Sequence, residues 1–328
     1  MAGTILGIDI GYDSLKLALC RNGEIKKTAA AEMPDNLFQD GRIASPETMG
    51  ELIRATMRKN RIHAFNAAMV LPNELCYMRT VTMPVMTADQ LKLNIPYEFT
   101  DYLEDEPKNY VFDYAMISNP REEPEAENME LMAVAAPGYV LSESRRMLDV
   151  ANLRLVKAAP SEYVHIPIIR FLERNRQPHE YCILDLGCRS VRMYMYRGDR
   201  HMVTRVLETG LRSVDEAVSA ALNVDIFLAR KFLTTNYEGC QEKEFSVAAY
   251  NGIAIELMRA LNFYRFSNPD SSLEGIWLCG GGAGNATLRR TIAETLGMEI
   301  HSAGELLPGK AEGEESYRFL QAVGVTMD

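Results

Sequence analysis

The chain has 328 residues, 47% of them hydrophobic, and its 35 Lys and Arg against 45 Asp and Glu leave a net charge of −10. At roughly 100–200 residues per domain this is two to three domains or one duplicated fold with an insert, and the apolar content excludes disorder as the main state. The acidic balance argues against nucleic acid or an anionic membrane as principal partner, because both need clustered Lys and Arg.

The N-terminal run MAGTILGIDIG has no basic segment of the signal-peptide kind and enters a β pattern at once. Nowhere are there the roughly 18–20 successive apolar residues of a bilayer-spanning helix. Thr4 to Ile10 reads as a strand ending at Asp-x-Gly, a second strand follows from about 14 to 20, and Asn22-Gly23 closes the unit as a hairpin. The glycine of such a turn permits φ > 0 and a close approach of backbone to a ligand. Consecutive N–H groups there form an anion-binding nest, and the carboxylate just before it suits a hydrated Mg2+. Residues 65–157 then read as a separate α+β unit. Strands are predicted at 67–71, 76–83, 110–117 and 129–135, a helix near 87–103 interrupted at Pro96, and a helix at about 140–151; the acidic stretch 121–130 is a solvated loop.

After this segment the hairpin returns. CILDLGCRSVRMYMYR (182–197) aligns without a gap on LGIDIGYDSLKLALCR (6–21) at a constant shift of 176, with Asp185 on Asp9, Gly187 on Gly11, Ser190 on Ser14 and Arg192 on Lys16. A merely structural hairpin has no reason to repeat its Asp, Gly and Ser, so the two copies are expected to face each other across a cleft and grip a polyphosphate from both sides. Helical periods follow within 203–262, their apolar stripes assigned to the core. At 275–299 a short strand meets Gly280-Gly281-Gly282-Ala283-Gly284, and a helix starts near Asn285 or Thr287 and stops at Gly297. A Gly-rich loop opening onto a helix N-terminus accepts a phosphate or lets a flat ring lie on bare backbone. The pattern is neither GxGxxG nor GxxxxGK[ST], which disfavours Rossmann and Walker-type sites. The six cysteines are scattered without a CxxC pair and read as free thiols, and the five histidines form no ligand pair.

Hairpin, insert, hairpin and Gly-rich loop is the order of the actin, sugar-kinase and heat-shock ATPase superfamily. Its two phosphate motifs and its adenosine motif resemble 7–16, 183–192 and 276–287 here. Within it the chain resembles the PilM family of type IV pilus assembly and, more distantly, FtsA. The resemblance runs through LGIDIGYDSLKL, VTMPVMTADQL (81–91), YVFDYAMI (110–117), AAPSEYVHIPIIR (158–170), ILDLG, VTRVLETGLRSVDEAVSAALNV (203–224) and LCGGGAGNATL. It implies an α/β fold of duplicated actin-like (ribonuclease H-like) type. Residues 1–64 and 158–180 would form a first lobe, 65–157 a small α+β insert, and 181–328 a second lobe with a smaller subdomain at about 207–272.

The resemblance also implies ATP and Mg2+ as ligands. Phosphates would lie at Gly11, Tyr12, Asp13, Ser14 and Lys16 and at Gly187, Cys188, Arg189 and Ser190; adenosine at Gly280, Gly281, Gly282 and Asn285; Mg2+, through water, at Asp9 and Asp185; Glu162 would mark the hinge. Hydrolysis is expected to be slow or absent, with no catalytic residue assigned. The implied partner is the tail of a PilN-like inner-membrane protein, so that a cytoplasmic chain reaches the membrane through a partner; no basic amphipathic helix follows Phe319. A homo-oligomer stays open. The chain departs from the family at Tyr12 and Asp13, where small hydroxyl or amide residues usually sit, and at Arg230 and Leu233, where a Glu and a Lys usually meet the ribose. Arg189, the repeat equivalent of Asp13, is expected to offset phosphate charge or to pair with Asp13. Three alternatives accompany this assignment: an FtsA-like filament-forming cell-division protein, a small-molecule kinase of the same superfamily, which would need a carboxylate base, and a nucleotide-free actin-like pseudo-ATPase, suggested by Tyr12, Asp13 and the lost ribose contacts.

Overall fold

The computed structural model describes residues 3–34, 37–39, 42–117, 127–174, 177–309 and 315–328. β1 (Thr4–Ile10), β2 (Ser14–Arg21) and β3 (Glu24–Glu32) form an antiparallel meander. After a two-residue ladder, β4 (Phe38–Gln39) with β5 (Arg42–Ile43), and α1 (Pro46–Lys59), strand β6 (Asn66–Leu71) joins β1 in parallel. The chain leaves this sheet as β7 (Tyr77–Pro84), α2 (Ala88–Asn94), β8 (Tyr110–Met116) and β9 (Asn128–Pro137). It returns through α3 (Gly138–Val150) to β10 (Arg154–Pro160), parallel to β6, and crosses over along α4 (Ser161–Glu173).

The second half runs β11 (Glu180–Leu186), β12 (Val191–Arg197), β13 (Arg200–Leu207), α5 (Arg212–Leu222), α6 (Ile226–Thr235), α7 (Glu244–Ser267), β14 (Gly275–Cys279), α8 (Ala286–Leu296), β15 (Glu299–Ser302) and α9 (Leu320–Gly324). The sheet orders, β10-β6-β1-β2-β3 and β13-β12-β11-β14-β15, are one topology built twice. The correspondence reaches single residues. Asp9 pairs with Lys16 as Asp185 does with Arg192, and the β-bulge between Leu19 and Cys20 recurs between Met195 and Tyr196. Both intervals equal the sequence offset of 176 (195 − 19). A bulge bends its strand and sharpens the twist, so both sheets curl alike.

Alternation along the strands divides the core. Leu6, Ile8, Leu15 and Leu17 face Met49 and Ile53 of α1 and Met147 of α3, while Leu184, Leu186 and Met193 face Val214, Ile253 and Leu257 of the second lobe. The opposite faces meet between the lobes, where Ala18, Cys20, Tyr194 and Tyr196 pack with Ile166 and Ile169 of α4 and Ala322 and Val323 of α9. The insert has its own core: Met129, Leu131, Ala133 and Ala135 of its central strand β9 cover Leu91, Ile95 and Phe99. From the other face of β9, Met132 joins the interlobe cluster and Glu130 pairs with Arg200 of β13.

One expectation changes. β6, α3 and the first part of β10 fall within 65–157 but belong to the first lobe, since β6 lies hydrogen-bonded between β1 and β10 and α3 buries Met147 and Leu148 in that lobe's core. The segment that leaves the lobe is 72–137, because strand membership is settled by non-local pairing that local pattern does not carry. The helix near 87–103 ends at Asn94 and continues as a 3₁₀ turn, Ile95–Phe99, since Pro96 lacks the N–H a further α-turn needs. The acidic loop at 121–130 lies, up to residue 126, outside the described residues. Helix α8 starts and stops as expected: Asn285 accepts from the Leu288 N–H at 2.9 Å, and Gly297 takes the left-handed φ of +60°.

Candidate functional site

The β1–β2 and β11–β12 turns face each other. Their glycines are not left-handed, contrary to expectation: neither Gly11 nor Gly187 is among the residues with positive φ. Space is what they supply. A Cβ at 187 would stand 2.8 Å from the Ser190 carbonyl oxygen, and one at 11 would stand 3.4 Å from that of Ser14. The Gly11 N–H already donates to the Ser14 carbonyl at 3.0 Å. Gly280 needs both freedoms, with φ +82° and a Cβ position 2.3 Å from Asp185 Oδ1.

The turns meet tip to tip. The Arg189 guanidinium lies 4.1 Å over the Tyr12 ring, which rests on Phe38, and the Cys188 thiol hydrogen-bonds Asp13. Tyr12 and Asp13 are the repeat equivalents of Cys188 and Arg189, so these two contacts, 12 with 189 and 13 with 188, interchange under the pseudo-dyad. Asp13 therefore pairs not with Arg189 but with Arg230 of α6: Nη1 reaches Asp13 Oδ1 at 2.6 Å and Nε reaches Asp215 Oδ2 at 2.8 Å. The dyad sets each tip residue against the non-equivalent residue of the other turn, which is why Arg189 faces an aromatic ring instead. Burial pushes the Asp215 carboxyl up to about 6, against the pull of Arg230. Leu233 is buried in the second lobe's core.

Beneath the tips, Lys16 Nζ meets Asp9 Oδ2 at 2.8 Å, both buried. Burial works against the ammonium, but Asp9 and then Asp185 outweigh it and hold Lys16 above its ordinary pKa. Asp185 is raised by burial, although Lys16 and Arg192 pull it down, and its Oδ2 accepts from Gln321 Nε2 at 3.0 Å. From Gln321 a chain of hydrogen bonds runs through the start of α4 to β12 of the second lobe. Ser161 Oγ donates to Gln321 Oε1 at 3.0 Å, the Ser161 N–H to Asn73 Oδ1 at 3.2 Å, and Asn73 Nδ2 to the Tyr194 hydroxyl at 2.8 Å. Arg192 pairs with Glu74 across the lobes.

Every residue assigned to phosphate or metal in the two turns, with Gly280 and Gly281, lines one cavity of about 160 Å³. Asp9 and Asp185 thus look into the same space. Two adenosine assignments, Gly282 and Asn285, fall outside it, and Glu162, assigned to the hinge, lies on α4 between the lobes. Gly282 packs against Leu211 and Leu186; Asn285 caps α8 and donates to the Tyr250 hydroxyl at 2.7 Å; the Glu162 carbonyl accepts from the Tyr196 hydroxyl at 2.8 Å. Sequence reasoning missed Asn73, Glu74, Arg192 and Gln321, which also line the cavity. Only Arg192 had a signal, as the repeat equivalent of Lys16. Among the described residues no three His, Cys, Asp or Glu converge to hold a bare metal ion, so the two carboxylates suit a hydrated one. In charge the residues fit Mg-triphosphate. In volume they do not while the tips touch, since small-molecule pockets run to roughly 300–1,000 Å³.

The family model of the type IV pilus assembly protein PilM matches residues 7–305. The chain belongs to the PilM family. A solved PilM-PilN type IV pilus biogenesis complex is 24% identical to this PilM-family chain with a TM-score of 0.83, over 98% of this chain and 97% of that one. The ethanolamine utilization protein EutJ from Carboxydothermus hydrogenoformans follows at 12% identity and TM-score 0.62, over 98% and 88% of the two chains. Ta0583, an archaeal actin homolog, is 13% identical with TM-score 0.51, over 98% of each chain. These similarities establish the actin-like fold, and the family match favours neither the filament-forming nor the kinase alternative. No curated protein matches the chain. Among the described residues no helix of this PilM-family protein is long and apolar enough to cross a membrane.

Proposed function

We propose that this PilM-family chain is a cytoplasmic scaffold of type IV pilus or related secretion assembly. It would bind the cytoplasmic tail of a PilN-like inner-membrane protein, be held at the membrane through that partner, and use Mg-ATP between its lobes to bias their closure. The observation that carries this is the PilM family match over 7–305 together with twin carboxylate turns lining one cavity. Bound Mg-ATP would supply charge that neither lobe provides alone and so favour one lobe angle over another. Asp9 and Asp185 would hold the hydrated metal, Lys16 and Arg192 the phosphates, and the bare backbone at Gly280 and Gly281 would leave room for the adenosine. The insert is suited to pass on the lobe angle, because it grows from the first lobe yet pairs Glu130 with Arg200 of the second. The tail of a PilN-like protein from the same organism, titrated as a synthetic peptide by calorimetry, should bind with a micromolar Kd that shifts several-fold with Mg-ATP. Absence of binding at millimolar peptide would remove the partner half. Absence of Mg-ATP binding to the wild type at millimolar nucleotide, with Asp9→Ala as control, would remove the ligand half.

A further inference from the structure

The cleft is occupied by the protein's own charges. Lys16 is held by Asp9 at 2.8 Å and feels the charge of Asp185. At the mouth, Asp13 brings a carboxylate from the first lobe to Arg230 of the second, at the contact point of the two turns. Arg230 also holds the buried Asp215 through its Nε at 2.8 Å. The group of Asp13, Asp215 and Arg230 therefore carries one excess negative charge in a half-buried setting, with the Cys188 thiol turned to Asp13 as a further donor. Arg189, the other cation at the mouth, is spent on the Tyr12 ring.

We propose that Asp13 is an internal occupant of the cleft's anion position, which holds Arg230 and shuts the two turns tip to tip, so that a phosphorylated ligand enters only by displacing it. The nature of that ligand, a nucleoside triphosphate, rests on the function proposed above; the shut state does not. Three features point the same way. The tips meet where phosphate would lie, the cavity is about 160 Å³ with them closed, and the pairing crosses from one lobe to the other, so breaking it frees the lobes to part. A ligand phosphate replaces the Asp13 carboxylate on Arg230 and must meet no second carboxylate there, which couples ligand entry to withdrawal of the β1–β2 turn.

Two measurements on the full chain test this. Hydrogen exchange without nucleotide should show the amides of 11–14 and 187–190 exchanging at least about fivefold faster in both Asp13→Asn and Arg230→Gln than in the wild type, with the rest of each lobe unchanged in Asp13→Asn. Unchanged protection in both variants would overturn the shut state whatever the ligand. Mg-ATP calorimetry should then move the variants in opposite directions: Asp13→Asn binds about tenfold tighter than the wild type, within the usual range for coupled equilibria, and Arg230→Gln binds more weakly. Equal or weaker binding by Asp13→Asn would overturn the displacement. Loosened turns with no binding of Mg-ATP by any of the three proteins would leave Asp13 as the closing group and remove nucleotide as the ligand.

Discussion

The two hairpins share a backbone down to the placement of a bulge, yet they carry different chemistry. The first puts Lys16, Ala18 and Cys20 where the second has Arg192, Tyr194 and Tyr196. Small side chains on β2, beside Gly7 of β1, let α9 approach: a Cβ at Gly7 would lie 1.7 Å from the Ala322 carbonyl oxygen. Large hydroxylated ones on β12 reach across to the first lobe instead, Tyr194 to Asn73 and Tyr196 to the Glu162 carbonyl and His165. Duplication has thus fixed the frame in which charges can face each other, while side-chain divergence made one copy a closely packed seat for α9 and the other a polar hook onto the first lobe.

The largest expected asymmetry is at the paired cations. Lys16→Met leaves Asp9 and Asp185 buried without their shared partner, so urea denaturation should show a loss of about 3–5 kcal/mol. Arg192→Met should cost about 1 kcal/mol, because its partner Glu74 is half-exposed. Equal costs would break the comparison. The turn glycines should differ less. Gly187→Ala meets the Ser190 carbonyl at 2.8 Å and should lose about 1–3 kcal/mol, whereas Gly11→Ala, at 3.4 Å and compensated by a stiffer unfolded chain, should stay within about 1 kcal/mol of wild type.

The smallest effect is in pH. Burial pushes His165 down to about 3 and His201 to about 4, both near Tyr196. The unfolded chain then binds protons the fold refuses, so their contribution is complete above the ordinary histidine value of about 6.5 and is lost as pH falls toward 4. Asp215, pushed up to about 6, and Glu162, also raised by burial, act oppositely and lose their contribution as pH rises through their folded values. The urea midpoint should drop between pH 6.5 and 5, and His165→Met should flatten that drop; an unchanged slope would show that the buried histidine does not set the pH dependence.

Much of this was legible in residues 6–21 and 182–197 alone. Hairpin, carboxylate and cleft follow from an ungapped repeat, since two segments with the same alternation and the same turn residues fold alike wherever they lie in the chain. The helix at 286–296 was equally readable, because its Asn cap and terminal glycine are local signals. Gly282 and Asn285 were drawn toward the cavity by proximity in sequence to residues that do line it, and they answer to other neighbours. Nor did any local pattern put β6 and β10 in the first sheet, give Asp13 to an arginine 217 positions away (230 − 13), or bring Gln321 onto Asp185. The sequence by itself determined that two like halves exist and that each ends a strand in a carboxylate. Only the tertiary structure decided which opposite charges answer those carboxylates, because partner choice among buried ions depends on distances across a pseudo-dyad that no interval along the chain records.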